Sequence, residues 1–206
     1  MDWTSNNDIF VSLNYDTLLD KSIEAKYNGI PNYGIDLYDV DNPSQIISRA
    51  TTDTPLFLKP HGSLNWLFCV DCLAYYYTEI PSYNLNQDQM PSCRRHGNDD
   101  EPDLEFAIIP PKPNKQYSGD TTSQIFENLL RESGDVDEIW FLGYSLPDVD
   151  TRIIEVFNRI IANAHPSVSI VNLSCDRQRI EHFEQLLGCT VRNPIDSSFE
   201  DWVDTL

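Results

Sequence analysis

Short apolar runs alternate with amphipathic stretches along most of the chain. Ile9-Phe10-Val11-Ser12-Leu13 has the length and composition of a buried strand. Leu18, Leu19 and Ile23 follow at helical spacing, with Asp16 or Thr17 placed to cap that helix. Residues 28–53 carry Gly29, Pro31, Gly34 and Pro43 and read as a surface connection, with a short helix over 44–50. Pro55 to Lys59 predicts a strand stopped by Pro60, which puts His61 on a turn beside Gly62. Ala74 to Thr78 reads as a ribbon strand, residues 83–91 as a loop and 98–103 as an acidic hinge. Leu104 to Ile109 is a further strand, and Gln124 to Glu132 a helix closed by Gly134. Glu138 to Leu142 is the clearest central strand. After it, Ile153, Ile154, Phe157, Ile160 and Ile161 mark one face of a helix. Val168 to Asn172 (strand), Arg177 to Leu187 (helix stopped by Gly188), Cys189 to Val191 (edge strand) and Phe199 to Val203 (helix capped by Ser197 or Ser198) complete the series.

Strands alternating with helices predict an α/β protein with a doubly wound, Rossmann-like, mainly parallel sheet. Residues 69–96 break the rhythm and read as a small insert, so the expected domains are 1–68 with 97–206, and 69–96. At 206 residues, 40% of them hydrophobic, the chain can bury a core. A net charge of −19 argues against a sequence-blind grip on nucleic acid or an anionic membrane, both of which need a cationic surface. No apolar run approaches the roughly 18 residues of a membrane span, and the first residues do not resemble a signal peptide. Five cysteines without such a signal suit a reducing cytoplasm.

Those cysteines carry the most specific signal. Cys69-x-x-Cys72 is followed, about twenty residues later, by Cys93-Arg94-Arg95-His96. Three thiolates and one imidazole suit a closed tetrahedral zinc site that holds the insert together without catalysis, and Arg94 and Arg95 would lower the thiol pKa values. Without a metal the same residues are free thiols beside a histidine.

A second set consists of Asn14, Asp16, His61, Gly143, Ser145 and Asn172, each just past the end of a predicted strand. In a doubly wound sheet such positions converge on a ligand crevice. His61 suits a general base near neutral pH, Asn14 can orient a water or carboxamide, and Asp16 can hold a ribose or offset a developing cation. Gly143 lets backbone approach a ligand, while Ser145 and Asn172 can meet phosphate or sugar hydroxyls. Taken singly, each reads more readily as a turn, cap or core residue.

Ser12-Leu13-Asn14-Tyr15-Asp16, His61-Gly62-Ser63, the paired cysteine knuckles, Gly143-Tyr144-Ser145-Leu146 and Ile170-Val171-Asn172 occur in the order expected of the sirtuin superfamily, which the chain resembles over nearly its whole length. The Asn-Tyr-Asp and Gly-Tyr-Ser-Leu-Pro-Asp wording is most similar to the bacterial sirtuin-like branch found in antiphage defence proteins. The resemblance implies an NAD+-binding domain with a zinc module that cleaves the nicotinamide–ribose bond. It makes His61 the catalytic base and gives Asn14 the water or nicotinamide, Asp16 the adjoining ribose, and Gly143, Ser145 and Asn172 the adenosine half. Water as acceptor gives NAD+ hydrolysis; acetyl-lysine would give an NAD-dependent protein deacetylase. The defence branch also implies a homo-oligomer or a larger multidomain protein.

Two departures stand out. The eight glycines include no G-x-G pair, so the family's phosphate-cradling loop, expected ahead of Ser12, is not found, and the chain reads as N-terminally incomplete. His96 also stands where the family usually has a fourth cysteine. The missing loop supports an alternative, a catalytically inactive zinc-stabilised interaction or regulatory domain. A third reading, a serine hydrolase with Gly143-Tyr144-Ser145 as nucleophile elbow and His165 or His182 as base, conflicts with Pro147, where the elbow needs glycine.

Overall fold

A computed structural model describes residues 5, 7–47, 54–79, 90–96, 102–109 and 120–205. Nine strands and five helices appear among them. Parallel pairings outnumber antiparallel ones, as the alternation of strands and helices predicts. The chain forms two compact units, with the boundary after Leu129. The expected loop at 83–91 and acidic hinge at 98–103 lie mostly outside the described residues.

The first unit begins with β1 (Ile9–Val11), which pairs in parallel with β3 (Leu56–Leu58) in the register Ile9 to Leu56. Helix α1 (Leu18–Tyr27) follows β1 and buries Asp20 and Ile23. A second, mixed sheet has the order β2-β5-β4-β6, built from Leu37–Asp39, Tyr75–Tyr77, Gly62–Phe68 and Glu105–Ile108. The start of α2 (Asp120–Glu132) contributes the buried Ile125, Phe126 and Leu129.

Two expectations fail here. Residues 28–53 are not a surface connection: Tyr33, Ile35 and Leu37 are buried, and β2 pairs with β5. The described part of the expected 44–50 helix is a turn followed by a bridge from Ile46 to Tyr38. Burying Tyr33 and Leu37 against distant partners outweighs the local turn signals of Gly34 and Pro43. Strand β4 is not foreseen either, since Gly62 reads as part of a turn and residues 63–68 carry no expected element.

Gly62 explains why β4 begins where it does. Its φ is +83°, and an added Cβ would stand 1.8 Å from the Ala107 carbonyl oxygen, so only glycine lets β4 approach β6. At the other end of β4, Leu67, Cys69, Ala74, Tyr76, Cys93 and Leu104 form one buried cluster. The cysteine segment therefore packs on this sheet.

The second unit is a parallel sheet ordered β7-β8-β9 (Glu138–Leu142, Ser167–Asn172, Val191–Asp196). β8, not β7, is central. Phe141 packs against Phe157 of α3 (Thr151–Ala164) at 5.0 Å and Phe183 of α4 (Arg177–Leu187) at 5.3 Å. The neighbouring Trp140 points the other way and stacks on Trp202 of α5 (Phe199–Val203) at 5.3 Å. Adjacent strand residues face opposite sides, so helices cover both faces of this sheet. The caps are local: Asp176 accepts from the Arg179 amide, Ser198 accepts from the Asp201 amide, and Gly188 closes α4 in the left-handed region.

Candidate functional site

Because β1 and β3 run in parallel, the chain leaves both at the same edge. Ser12 to Asp16 therefore lies beside Lys59 to His61, and the Ser12 amide donates to the Leu58 carbonyl at 2.9 Å. His61 is buried, with Nδ1 3.2 Å from the Leu13 carbonyl oxygen. A carbonyl can only accept, so this contact places the proton on Nδ1 and leaves the lone pair on Nε2. Of the two residues expected to cap α1, Thr17 occupies the N-cap position without a side-chain bond, and Asp16, one residue earlier, accepts from the Leu18 amide at 3.0 Å. Asn14 is exposed, and its backbone amide donates to Ser12 Oγ at 3.3 Å. Tyr15 fastens the loop, donating to the Ile109 carbonyl at 2.6 Å and accepting from the Leu64 amide at 2.8 Å.

Sequence reasoning missed the group beneath this loop. Lys59 and Asp20 form a wholly buried ion pair at 3.0 Å, and Lys59 Nζ also donates to the Asp16 backbone carbonyl. Tyr33 donates to the other Asp20 oxygen at 2.6 Å. Burial lowers the Lys59 pKa even though Asp20 acts to raise it, and burial next to Asp20 raises that of Tyr33. The one available signal was a lysine closing the apolar run Leu56-Phe57-Leu58.

Of the six strand-end residues, the first unit brings Asn14, Asp16 and His61 together. Gly143, Ser145 and Asn172 share the strand ends of the second unit. Gly143 has φ +65° with open space around the position of a Cβ, and Ser145 is exposed. Asn172 donates its amide to the Tyr144 carbonyl at 2.9 Å and so holds this turn. Tyr144 donates to the buried Asp150 at 2.6 Å, and Leu146 is buried with φ +50°. His182 Nε2 sits 2.8 Å from the Leu146 carbonyl and 3.9 Å from Asp148, while His165 caps α3. Neither contact favours the hydrolase reading.

Cys69, Cys72, Cys93 and His96 converge, with all four ligand atoms within 4.8 Å of one another. Cys72 and Cys93 sulfurs are 3.7 Å apart, and Cys69 Sγ is 3.4 Å from His96 Nε2. Thiolates about 2.3 Å from a tetrahedral zinc stand about 3.8 Å apart, so spacing and donor chemistry both fit a closed zinc site that these residues could form. Burial pushes the Cys69 thiol up to about 11. Burial is the largest influence on Cys93 and raises it, but hydrogen bonds from the Tyr76 hydroxyl, the Arg95 backbone amide and the Cys69 and Cys72 thiols together outweigh it and lower that thiol's pKa. The basic side chains expected to do this do not figure among its causes; the Arg95 guanidinium lies over the Tyr38 ring at 4.0 Å.

The fold is thus mixed α/β, mainly parallel, with a Cys3His cluster suited to zinc. No protein-family model matches the chain, and no curated protein does. Among solved structures it is similar to one described as the structural basis of sirtuin substrate affinity, at 15% identity and TM-score 0.47 over 75% of this chain and 54% of that one. A Sir2 complex with p53 peptide and NAD+ matches at 14% identity and TM-score 0.44, over 75% and 55%. A mutant Sir2 homologue in complex with ADP-ribose matches at 14% and 0.45, over 75% and 52%. The chain spans about half the length of these structures. No helix among the described residues is long and apolar enough to cross a membrane.

Proposed function

We propose that the chain is a sirtuin-like NAD+-binding domain that cleaves the nicotinamide–ribose bond with water as acceptor, in the manner of the defence branch. One observation carries this reading. His61, held through Nδ1 by the Leu13 carbonyl, shares one sheet edge with Asn14 and Asp16. In the reaction the C1′–N bond breaks, its electron pair leaves with nicotinamide, and a positive charge develops on the ribose. Asp16 offsets that charge, Asn14 positions the water or the carboxamide, and Nε2 of His61 takes the proton of the attacking water. Zinc on Cys69, Cys72, Cys93 and His96 would fix residues 69–96 to the sheet and stay outside the chemistry.

The test is nicotinamide release from NAD+ by the purified chain, resolved by chromatography. His61→Ala should lower the rate about 100-fold or more, the usual worth of a general base, and Asn14→Ala should lower it too. Release unaffected by His61→Ala would refute the mechanism. The sequence lacks any G-x-G pair, which favours a second reading, a zinc-stabilised interaction domain without activity. A folded, zinc-loaded chain that neither binds nor cleaves NAD+ would support that one. Acetyl-peptide-dependent release would point to the deacetylase instead.

A further inference from the structure

The chemistry above leaves Lys59 unused, although it is wholly buried beneath the loop that carries Asn14 and Asp16. Its ammonium has defined surroundings. Nζ donates to Asp20 Oδ2 at 3.0 Å and to the Asp16 backbone carbonyl, and it lies 5.6 Å from the centre of the Phe57 ring. Asp20 is held in turn by the Tyr33 hydroxyl, which donates to its other oxygen at 2.6 Å. An ammonium only donates and a carbonyl only accepts, so the bond to Asp16 has one direction.

Asp16 sits where such a donor matters. The first bond of α1 runs from the Lys21 amide to the Thr17 carbonyl at 3.1 Å, which leaves the Asp16 carbonyl one residue outside the helix. Its neighbours have anchors of their own: Ser12 on Leu58, Leu13 on His61, and Tyr15 on both Ile109 and Leu64. At Asp16, Lys59 holds the backbone carbonyl and the Leu18 amide holds Oδ1. The first bond sets the peptide plane and the second sets the carboxylate on it. A buried ion pair adds little stability over apolar residues of the same volume. What this one supplies is a donor with a fixed position.

We propose that Lys59, clamped by Asp20 and Tyr33, is a positioning residue that sets the Asp16 carboxylate for cleavage of the nicotinamide–ribose bond. This rests on the reading of Asp16 as the group that offsets the charge developing on the ribose. A fixed carboxylate stabilises that charge without having to reorganise, and a carboxylate on a loosened backbone loses the advantage. The charge exists in the transition state and not in bound NAD+. Loss of the clamp should therefore lower kcat for nicotinamide release and leave KM for NAD+ nearly unchanged.

The test replaces the whole clamp at once, as Asp20→Leu with Tyr33→Phe and Lys59→Met in the full chain, so that no buried charge or hydroxyl is stranded. If that variant does not fold, Asp20→Asn with Lys59→Gln serves instead: it keeps an acceptor for Tyr33, and its amide ends one bond short of where the ammonium stood. In the folded variant, kcat should fall about tenfold, the usual worth of a hydrogen bond to a charged group, with KM little changed. The same replacement in an Asp16→Asn background should cost nothing further, because Lys59 acts through Asp16. A second readout needs no turnover. The Leu18 amide proton resonance, shifted downfield by its bond to Asp16 Oδ1, should move back upfield, while that of the Ile109 amide, bonded to the His61 carbonyl, stays in place. A folded variant with the wild-type kcat, an equal further loss in the Asp16→Asn background, or an unmoved Leu18 resonance would overturn the proposal. A wild-type chain that releases no nicotinamide would instead overturn the proposed reaction, and the Leu18 resonance would still decide whether Lys59 positions Asp16.

Discussion

Gly62→Ala is the sharpest test of how His61 is held in place. The glycine sits at φ +83°, and the new methyl would stand 1.8 Å from the Ala107 carbonyl oxygen and 2.8 Å from its carbon. Both are backbone atoms, so no side chain can swing aside. The left-handed conformation costs an alanine about 1–2 kcal/mol. Relieving the clash means parting β4 from β6 by more than an ångström, which strains the bond from the Ile109 amide to the His61 carbonyl, now 2.9 Å. Overpacking and a weakened hydrogen bond add about 2–3 kcal/mol. The sum is about 3–5 kcal/mol, a large share of the roughly 5–15 kcal/mol that holds a typical domain together. Urea unfolding followed by far-ultraviolet circular dichroism would measure it. Gly143→Ala is the control, because it has φ +65° with nothing within 4 Å of its Cβ and should lose only the conformational cost. Equal losses in the two variants would refute the close approach of β4 to β6.

Metal removal should also be informative. The chain should carry about one zinc, and cobalt in its place should give the visible bands of a tetrahedral thiolate site. A strong chelator should lower the melting temperature, because Cys69 and Cys93 belong to the core with Leu67, Tyr76 and Leu104; unchanged melting of a chain shown to have lost its metal would count against the site. The tyrosines make a prediction about pH. Burial first, aided by Asp20 for Tyr33, by Cys93 for Tyr76 and by Glu24 for Tyr77, raises all three above the ordinary value of 10.0. A raised pKa favours the protonated form in the folded state, so their contribution is complete below pH 10 and is lost as pH climbs above it. Tyrosinate absorbance in the near ultraviolet should show three of the ten tyrosines ionising only as the fold opens; ten equivalent titrations in a folded chain would contradict this.

Elements with local signals were readable in the sequence to the residue. Arg177 to Leu187 is bounded by Asp176 and Gly188, and Phe199 to Val203 by Ser198, and each of these contacts is made within a few residues. Cys69, Cys72, Cys93 and His96 were readable because ligand spacing is itself a local rule. What escaped depends on distant partners. Leu37 to Asp39 is a strand only because Tyr75 to Tyr77 lies beside it. Ser63 and Asn65 look like loop residues yet are buried in β4, where Gly62 lets that strand in. β9 was expected over 189–191 and runs over Val191–Asp196, since its exposed Arg192 and Asn193 and its Pro194 give no apolar alternation. At the candidate site the residue types were visible, but not the Lys59–Asp20 pair beneath them.

That buried pair limits how the sequence can drift. Removing either charge strands the other in the interior, at about 3–5 kcal/mol, whereas replacing both with apolar groups can be nearly neutral. Positions 20 and 59 should therefore change together along a lineage or not at all. A descendant that lost the pair would also lose the bond from Lys59 to the Asp16 carbonyl, and with it a tie between the start of α1 and the turn that carries His61. Joint variation at these two sites, 39 residues apart, would be the imprint of this contact in related chains.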